Sequence, residues 1–234
     1  MNIFRFIRGR SYPDPFRNED CAEPEVDKFI ISQFVLETLV PVIGFHPFPL
    51  DELILMTATV VAFKPSHIFE WGTHLGKSAR AFHEISKAFG IDTEIHSTDL
   101  PESVIHVENL GKRRGTFVRR RPSVHLHLGD GLETSLGIYA QLKTKIHPAL
   151  FFLDGDHRYV SIRRELAAIR AAVPAAVLMV HDTFYQSPES GYHTGPYQAV
   201  EEFIRSHPEE YLRLFTSLGL PGMTLLFPRT GRDR

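Results

Sequence analysis

The segment FFLDGDHRYV (151–160) runs from a hydrophobic stretch straight into Asp154, Asp156, His157 and Arg158, and a second apolar run ends at His181 and Asp182. Carboxylates and an imidazole are competent ligands for a divalent cation, and an imidazole is also a proton acceptor near neutral pH. Asp154 and Asp182 are separated by 28 positions, the length of one strand–helix–strand unit. If the two apolar runs are neighbouring parallel strands, their ends lie ~4.8 Å apart and these side chains can converge on one ion. Read alone, DGDH is equally suited to an Asx turn that caps the following helix.

A second group precedes it. In IFEWGTHLGKSARAF (68–82) an acid, Glu70, ends an apolar strand and is followed by Gly72, Gly76 and a helix starting near Ser78. Glycines at a strand-to-helix turn let a ligand approach the strand end. The spacing E-x-G-x-x-x-G-x-S is neither G-x-G-x-x-G nor a Walker loop, which argues against a dinucleotide or a nucleoside triphosphate. Glu70 would repel a pyrophosphate and attract an amino-bearing ligand. The alternative is a tight turn with incidental glycines. Asp99 ends the next strand, where a carboxylate can accept both hydroxyls of a ribose. Asp130, in HLGDG (127–131), ends the third and is suited to an adenine amino group.

Positioning these residues requires alternating strands and helices. Candidate strands are 66–71, 94–98, 123–128, 149–153 and 176–181, with helices between them; the clearest helix is 158–173, where Tyr159, Ile162, Leu166, Ile169 and Val173 form one stripe. Such alternation implies parallel crossovers and a doubly wound sheet. A helix at 195–208 is followed by YLRLFTSL, a GLPG turn and MTLLFP, an antiparallel hairpin that brings the strand count to seven. Upstream, the first 25 residues read as an irregular arm. A helix from Val26 should stop at Pro41, and a second, 50–63, should present Leu50, Leu53, Ile54, Thr57 and Val61 on one face. The expected organisation is an N-terminal arm and helices (1–63) followed by a Rossmann-like, mostly parallel α/β domain (64–234) whose last strand is antiparallel.

With an acid after each of three successive strands, the chain resembles the class I S-adenosylmethionine-dependent methyltransferases over about residues 45–228. The resemblance implies that Glu70, Gly72, Thr73 and Ser78 lie near the methionine part of the cofactor, Asp99 at the ribose, and Gly129 and Asp130 at the adenine. The later segments resemble the metal-dependent O-methyltransferases of the catechol, caffeoyl-coenzyme A and macrolide-sugar types. By that likeness Asp154, His181 and Asp182 would hold a divalent metal: magnesium, manganese or another transition ion. DGDH matches D-x-x-H, which makes His157 the candidate catalytic base. His181 stands where those families place an acid. The loop 183–196, with Tyr185 and His193, would suit a substrate lid.

Composition bounds the alternatives. A formal net charge of −2 gives no general attraction to nucleic acid or anionic membrane, and no run approaches the ~20 apolar residues of a membrane span. The single cysteine, Cys21, excludes an internal disulfide and suits a cytoplasmic protein. A small-molecule hydroxyl, on a sugar or a phenol, is the expected substrate. The basic run 112–121 leaves open an RNA or protein substrate, and a non-catalytic nucleoside-binding domain is a third reading. His125 and His127 have no evident partner in the sequence, and the N-terminal helices could form a homo-oligomer.

Overall fold

The computed structural model describes residues 11–18, 21, 23–101, 103–104, 113–142 and 148–229. Its centre is a seven-stranded sheet made of β3 (His67–Trp71), β4 (Glu94–Asp99), β5 (Val124–Leu128), β6 (Leu150–Leu153), β7 (Val177–His181), β8 (Tyr211–Phe215) and β9 (Met223–Pro228). The spatial order is β5-β4-β3-β6-β7-β9-β8. The first five strands are parallel, and β9 runs antiparallel to both of its neighbours. The fold is therefore the Rossmann-like arrangement expected. The chain leaves β3 in one direction for β4 and β5 and returns on its other side for β6 and β7, so the switch point lies between β3 and β6.

Side chains alternate across the strands and feed two hydrophobic layers. Ile68, Ile95, Phe152 and Met179 face one side, where α3 (Leu50–Phe63) and α4 (Lys77–Ala88) pack. Phe69, Phe151, Leu178 and Val180 face the other, with α5 (Gly131–Gln141), α6 (Tyr159–Ala172) and α7 (Gly195–Ser206). Covering both faces explains why β6 and β7 read as continuous apolar runs. Each fully buried large side chain contributes roughly 1.5–3 kcal/mol.

The N-terminal segment differs from expectation in three ways. Phe16–Asn18 (β1) pairs antiparallel with Glu25–Val26 (β2), so part of the arm is a short ribbon. Pro41 does not stop the helix. α1 (Lys28–Phe34) passes through a π-helical stretch, Val35–Leu39, into α2 (Val40–Ile43). The wider turn, closed by Val40 N–H to Val35 C=O, immediately precedes Pro41 and accommodates its missing donor. Finally, the buried face of α3 includes Glu52, Leu53, Met56, Thr57, Val60 and Val61, whereas Leu50 is 40% exposed. The helix is rotated so that an acid, rather than Leu50, faces inward. Residues of α1–α3 share one hydrophobic cluster with the sheet.

His125 and His127 do have partners. The parallel register sets β4 beside β5, which brings His125 Nε2 within 2.5 Å of Glu94 Oε2 and His127 Nε2 within 3.3 Å of His96 Nδ1. Lys112, the first residue of the basic run, lies outside the described residues; Arg114 turns inward, donating from Nε to Asp99 Oδ2 at 3.0 Å. Among the described residues no helix is long and apolar enough to cross a membrane.

Candidate functional site

Strand order places the sequence-predicted acids along one edge of the sheet: Asp130, Asp99 and Glu70 on one side of the switch point, then Asp154 and the His181–Asp182 pair on the other. Gly72 marks the crossing. Its φ is +94°, and a Cβ there would sit 2.2 Å from the Asp154 carbonyl oxygen. Only glycine lets the ends of β3 and β6 approach so closely.

Glu70 is buried. Ser97 Oγ donates to its Oε1 at 2.5 Å, while Oε2 has no partner. Burial, reinforced by the charges of Asp154 and Asp99, raises its pKa to about 7 against the pull of the Ser97 and Ser78 hydroxyls. Thr73 Oγ1 lies 2.7 Å from Ser97 Oγ, so Glu70, Thr73, Ser78 and Ser97 form one buried polar group. Ser97 was not anticipated; in the sequence it is only one small residue in a strand. An orphaned carboxylate oxygen at a strand end fits the amino group of an S-adenosylmethionine-like ligand.

Asp99 and Asp130 are more engaged. Asp99 Oδ2 accepts from His74 N–H at 3.1 Å and from Arg114, and Oδ1 accepts from Leu100 N–H at 2.8 Å. Asp130 caps α5 through a 2.9 Å hydrogen bond from Glu133 N–H, and its Oδ2 lies 3.4 Å from Arg164 Nη2. Gly129, at φ +155°, turns the chain just before this cap.

Across the switch point β6 and β7 are neighbours in parallel register, and their ends meet. His181 Nδ1 lies 3.0 Å from Asp154 Oδ1 and 3.6 Å from Asp182 Oδ1. Its Nε2 faces Glu52 Oε2 at 3.0 Å, and Glu52 Oε1 accepts from Gly222 N–H at 2.8 Å. Burial pulls the His181 pKa down, but Asp154 and Glu52, with Asp182 behind them, outweigh it and the net shift is well upward. Glu52 was missed by sequence reasoning because an acid in the first turn of a helix reads as an ordinary complement to the helix dipole.

His157 joins the group from the next loop. Its Nδ1 lies 2.8 Å from Asp182 Oδ2, its ring stacks on His193 at 4.1 Å between centroids, and Tyr192 donates from its hydroxyl to Asp182 Oδ1 at 2.8 Å. Burial lowers the His157 pKa, the Asp182 carboxylate raises it, and the result is upward. Asp182 adopts the left-handed conformation, φ +58°, which aspartate tolerates better than most residues. The Asx-turn reading of DGDH also holds, for a different residue. Asp156 accepts from Arg158 N–H at 3.0 Å and from Ser161 Oγ at 2.6 Å, and so organises the start of α6.

Ligand atoms of Asp154, His181 and Asp182 all lie within 4.8 Å of one another, as do those of His157, Asp182 and His193. The first set fits a divalent cation. Its imidazole has a carboxylate on the far nitrogen, the usual partner of a metal-bound histidine.

Residues 47–214 match the model of the family described as Rhamnosyl O-methyltransferase/CmcI. The chain is 27% identical over 153 residues to the Rhamnosyl O-methyltransferase of Mycobacterium bovis (strain BCG / Pasteur 1173P2), a match that takes in 63% of this chain and 59% of that protein. Solved structures resemble it in fold. The O-methyltransferase TomG from Streptomyces achromogenes, in complex with SAM, superposes with a TM-score of 0.56 at 16% identity, covering 92% of this chain and 91% of that one. The SAH-bound methyltransferase PaMTH1 of Podospora anserina gives 0.55 at 18% identity, covering 84% and 88%.

Proposed function

The chain belongs to the Rhamnosyl O-methyltransferase/CmcI family, and from that premise we propose that it is an S-adenosylmethionine-dependent O-methyltransferase acting on a hydroxyl of a small glycoside. The match spans 59% of the length of the curated relative, so activity and substrate belong to the proposal. The observation that carries the reading is the convergence of Asp154, His157, His181 and Asp182 beside the buried Glu70 group at the switch point. A sugar hydroxyl is favoured over a phenol by the curated relative's name, Rhamnosyl O-methyltransferase.

S-adenosylmethionine, when bound, supplies a methyl group already activated by its sulfonium, and a divalent cation supplies charge that favours the ionised form of an acceptor hydroxyl. The remaining work falls to the protein. Glu70 Oε2 binds the cofactor's amino group, with Gly72, Thr73 and Ser78 around it. Asp99 receives the ribose hydroxyls on the lone pairs left by its present donors. Asp130 and Gly129 would meet the adenine. Asp154, His181 and Asp182 would hold the cation. His157 accepts the acceptor's proton at Nε2 while Asp182 Oδ2 holds Nδ1 and orients the ring. His193, stacked on His157, and Tyr192 line the approach. A cytoplasmic location and a homo-oligomer formed through exposed Phe29 and Leu36 of the N-terminal helices complete the proposal.

Calorimetry with S-adenosylhomocysteine, followed by methyl transfer to a panel of deoxysugar glycosides and phenols, tests it. Binding plus turnover on a glycoside supports the reading. Binding without turnover on any hydroxyl leaves a nucleoside-binding domain, and no binding overturns the assignment.

A further inference from the structure

We propose that Glu52 is a positioning residue that sets His181 as a nitrogen donor, and that the strand-end site therefore takes a first-row transition-metal dication in preference to magnesium. The inference rests on the reading above, in which Asp154, His181 and Asp182 hold a cation.

Three observations carry it. The first is the chemistry of the contact. Each ring nitrogen of His181 faces a carboxylate oxygen at 3.0 Å, Nε2 toward Glu52 Oε2 and Nδ1 toward Asp154 Oδ1, but only Nδ1 is turned to the acids proposed to hold the cation. A cation held by Asp154 and Asp182 would take the Nδ1 lone pair in place of the proton there, leaving the Nε2 N–H to donate to Glu52. The separations of 3.0 and 3.6 Å between these donor atoms are those of neighbouring ligands around one ion with bonds of about 2.1 Å.

The second is rigidity. Glu52 is itself anchored by the Gly222 N–H, and Glu52 and His181 are 1% and 4% exposed. Phe48 packs against the His181 ring at 5.1 Å between centroids and 72° between planes, with Phe152 at 6.4 Å. The ring therefore cannot turn to exchange its nitrogens without breaking a buried contact.

The third is the donor type. Magnesium favours all-oxygen surroundings and gives up water reluctantly, whereas imidazole suits the later first-row ions. An acid at position 181 would complete an oxygen set; this chain has a histidine there and supplies a buried carboxylate from α3 to orient it. The N-terminal helices are by this account part of the site, joined to β7 across 129 residues of sequence.

The test is calorimetric titration of the full chain with Co²⁺, Zn²⁺ and Mg²⁺, on wild type, Glu52→Gln and His181→Asp, with near-ultraviolet circular dichroism as the check on folding. Wild type is expected to bind Co²⁺ and Zn²⁺ at least about tenfold more tightly than Mg²⁺. Glu52→Gln is expected to weaken both transition ions about 10- to 100-fold. His181→Asp should bring the three ions within about threefold of one another. A measurement on wild type alone stands even if Glu52→Gln does not fold: long-range ¹H–¹⁵N spectra of the Zn²⁺-loaded chain should show His181 bound through Nδ1 and protonated at Nε2. Equal affinity for Mg²⁺ and Zn²⁺, a folded Glu52→Gln with unchanged Zn²⁺ affinity, Nε2 bound to the metal, or no binding of any ion each overturns the inference. S-adenosylhomocysteine binding by the same wild-type protein separates that failure from failure of the methyltransferase assignment.

Discussion

Asp182 Oδ2 lies 2.8 Å from His157 Nδ1, while its Oδ1 faces His181 at 3.6 Å, so one carboxylate serves both the imidazole proposed as base and the cluster proposed to hold a cation. The division is possible because Asp182 sits in the left-handed region directly after β7, which turns its side chain along the sheet edge.

Asp182→Asn keeps that conformation accessible and removes the charge. Methyl transfer should fall about 10²- to 10⁴-fold in kcat, with little change in KM for the cofactor. His157→Gln should cause a similar loss, and the double variant should be no slower than the worse single one, because the two residues act as a unit. Steady-state kinetics on the four proteins would check this; additive losses would mean the pair does not work together.

Glu70 gives a pH signature for cofactor binding. Burial raises its pKa to about 7, so the carboxylate is neutral below that pH and charged above it. An ammonium-bearing ligand prefers the charged form. S-adenosylhomocysteine affinity should therefore rise between about pH 6 and 8, and Glu70→Gln should bind more weakly with a flat profile over that range. Calorimetry at three pH values decides it, and a flat wild-type profile would remove Glu70 from the contact.

Glu165 makes a prediction about stability. Burial raises its pKa to about 8, although the nearby Trp71 indole N–H offsets part of that without completing a hydrogen bond to the orphaned Oε2. A carboxyl whose folded pKa is raised stabilises nothing by ionising. Its penalty is absent below the unfolded value near 4.5, grows as pH rises from there to about 8, and is constant above that. Glu165→Gln should match wild type at about pH 4.5 and be more stable at about pH 8.5, by roughly 1–3 kcal/mol. Urea melts at the two pH values would show it.

Gly72→Ala should be severe. The new Cβ would meet the Asp154 carbonyl at 2.2 Å, and the φ of +94° disfavours any side chain. A loss of about 2–4 kcal/mol is expected, together with weaker metal and cofactor binding, since β3 and β6 must part at the switch point. A lower urea midpoint with an unchanged slope would confirm a packing effect.

Much of this was legible in the sequence because it is local. The segment 50–63 forms a helix, and 67–71, 150–153 and 177–181 form buried strands, through the period and length of their apolar residues. Alternation of these elements leads to parallel crossovers, and parallel crossovers place Glu70, Asp99, Asp130, Asp154 and Asp182 on one edge. Only the tertiary structure decided which side chains meet there. Glu52 reaches His181, Arg114 reaches Asp99, and His96 reaches His127, each across a stretch of chain whose periodicity is blind to the encounter. The orientation of α3 against the sheet turns on the packing of the whole hydrophobic layer, and that packing, rather than any pattern near position 52, puts a carboxylate where a leucine face was expected.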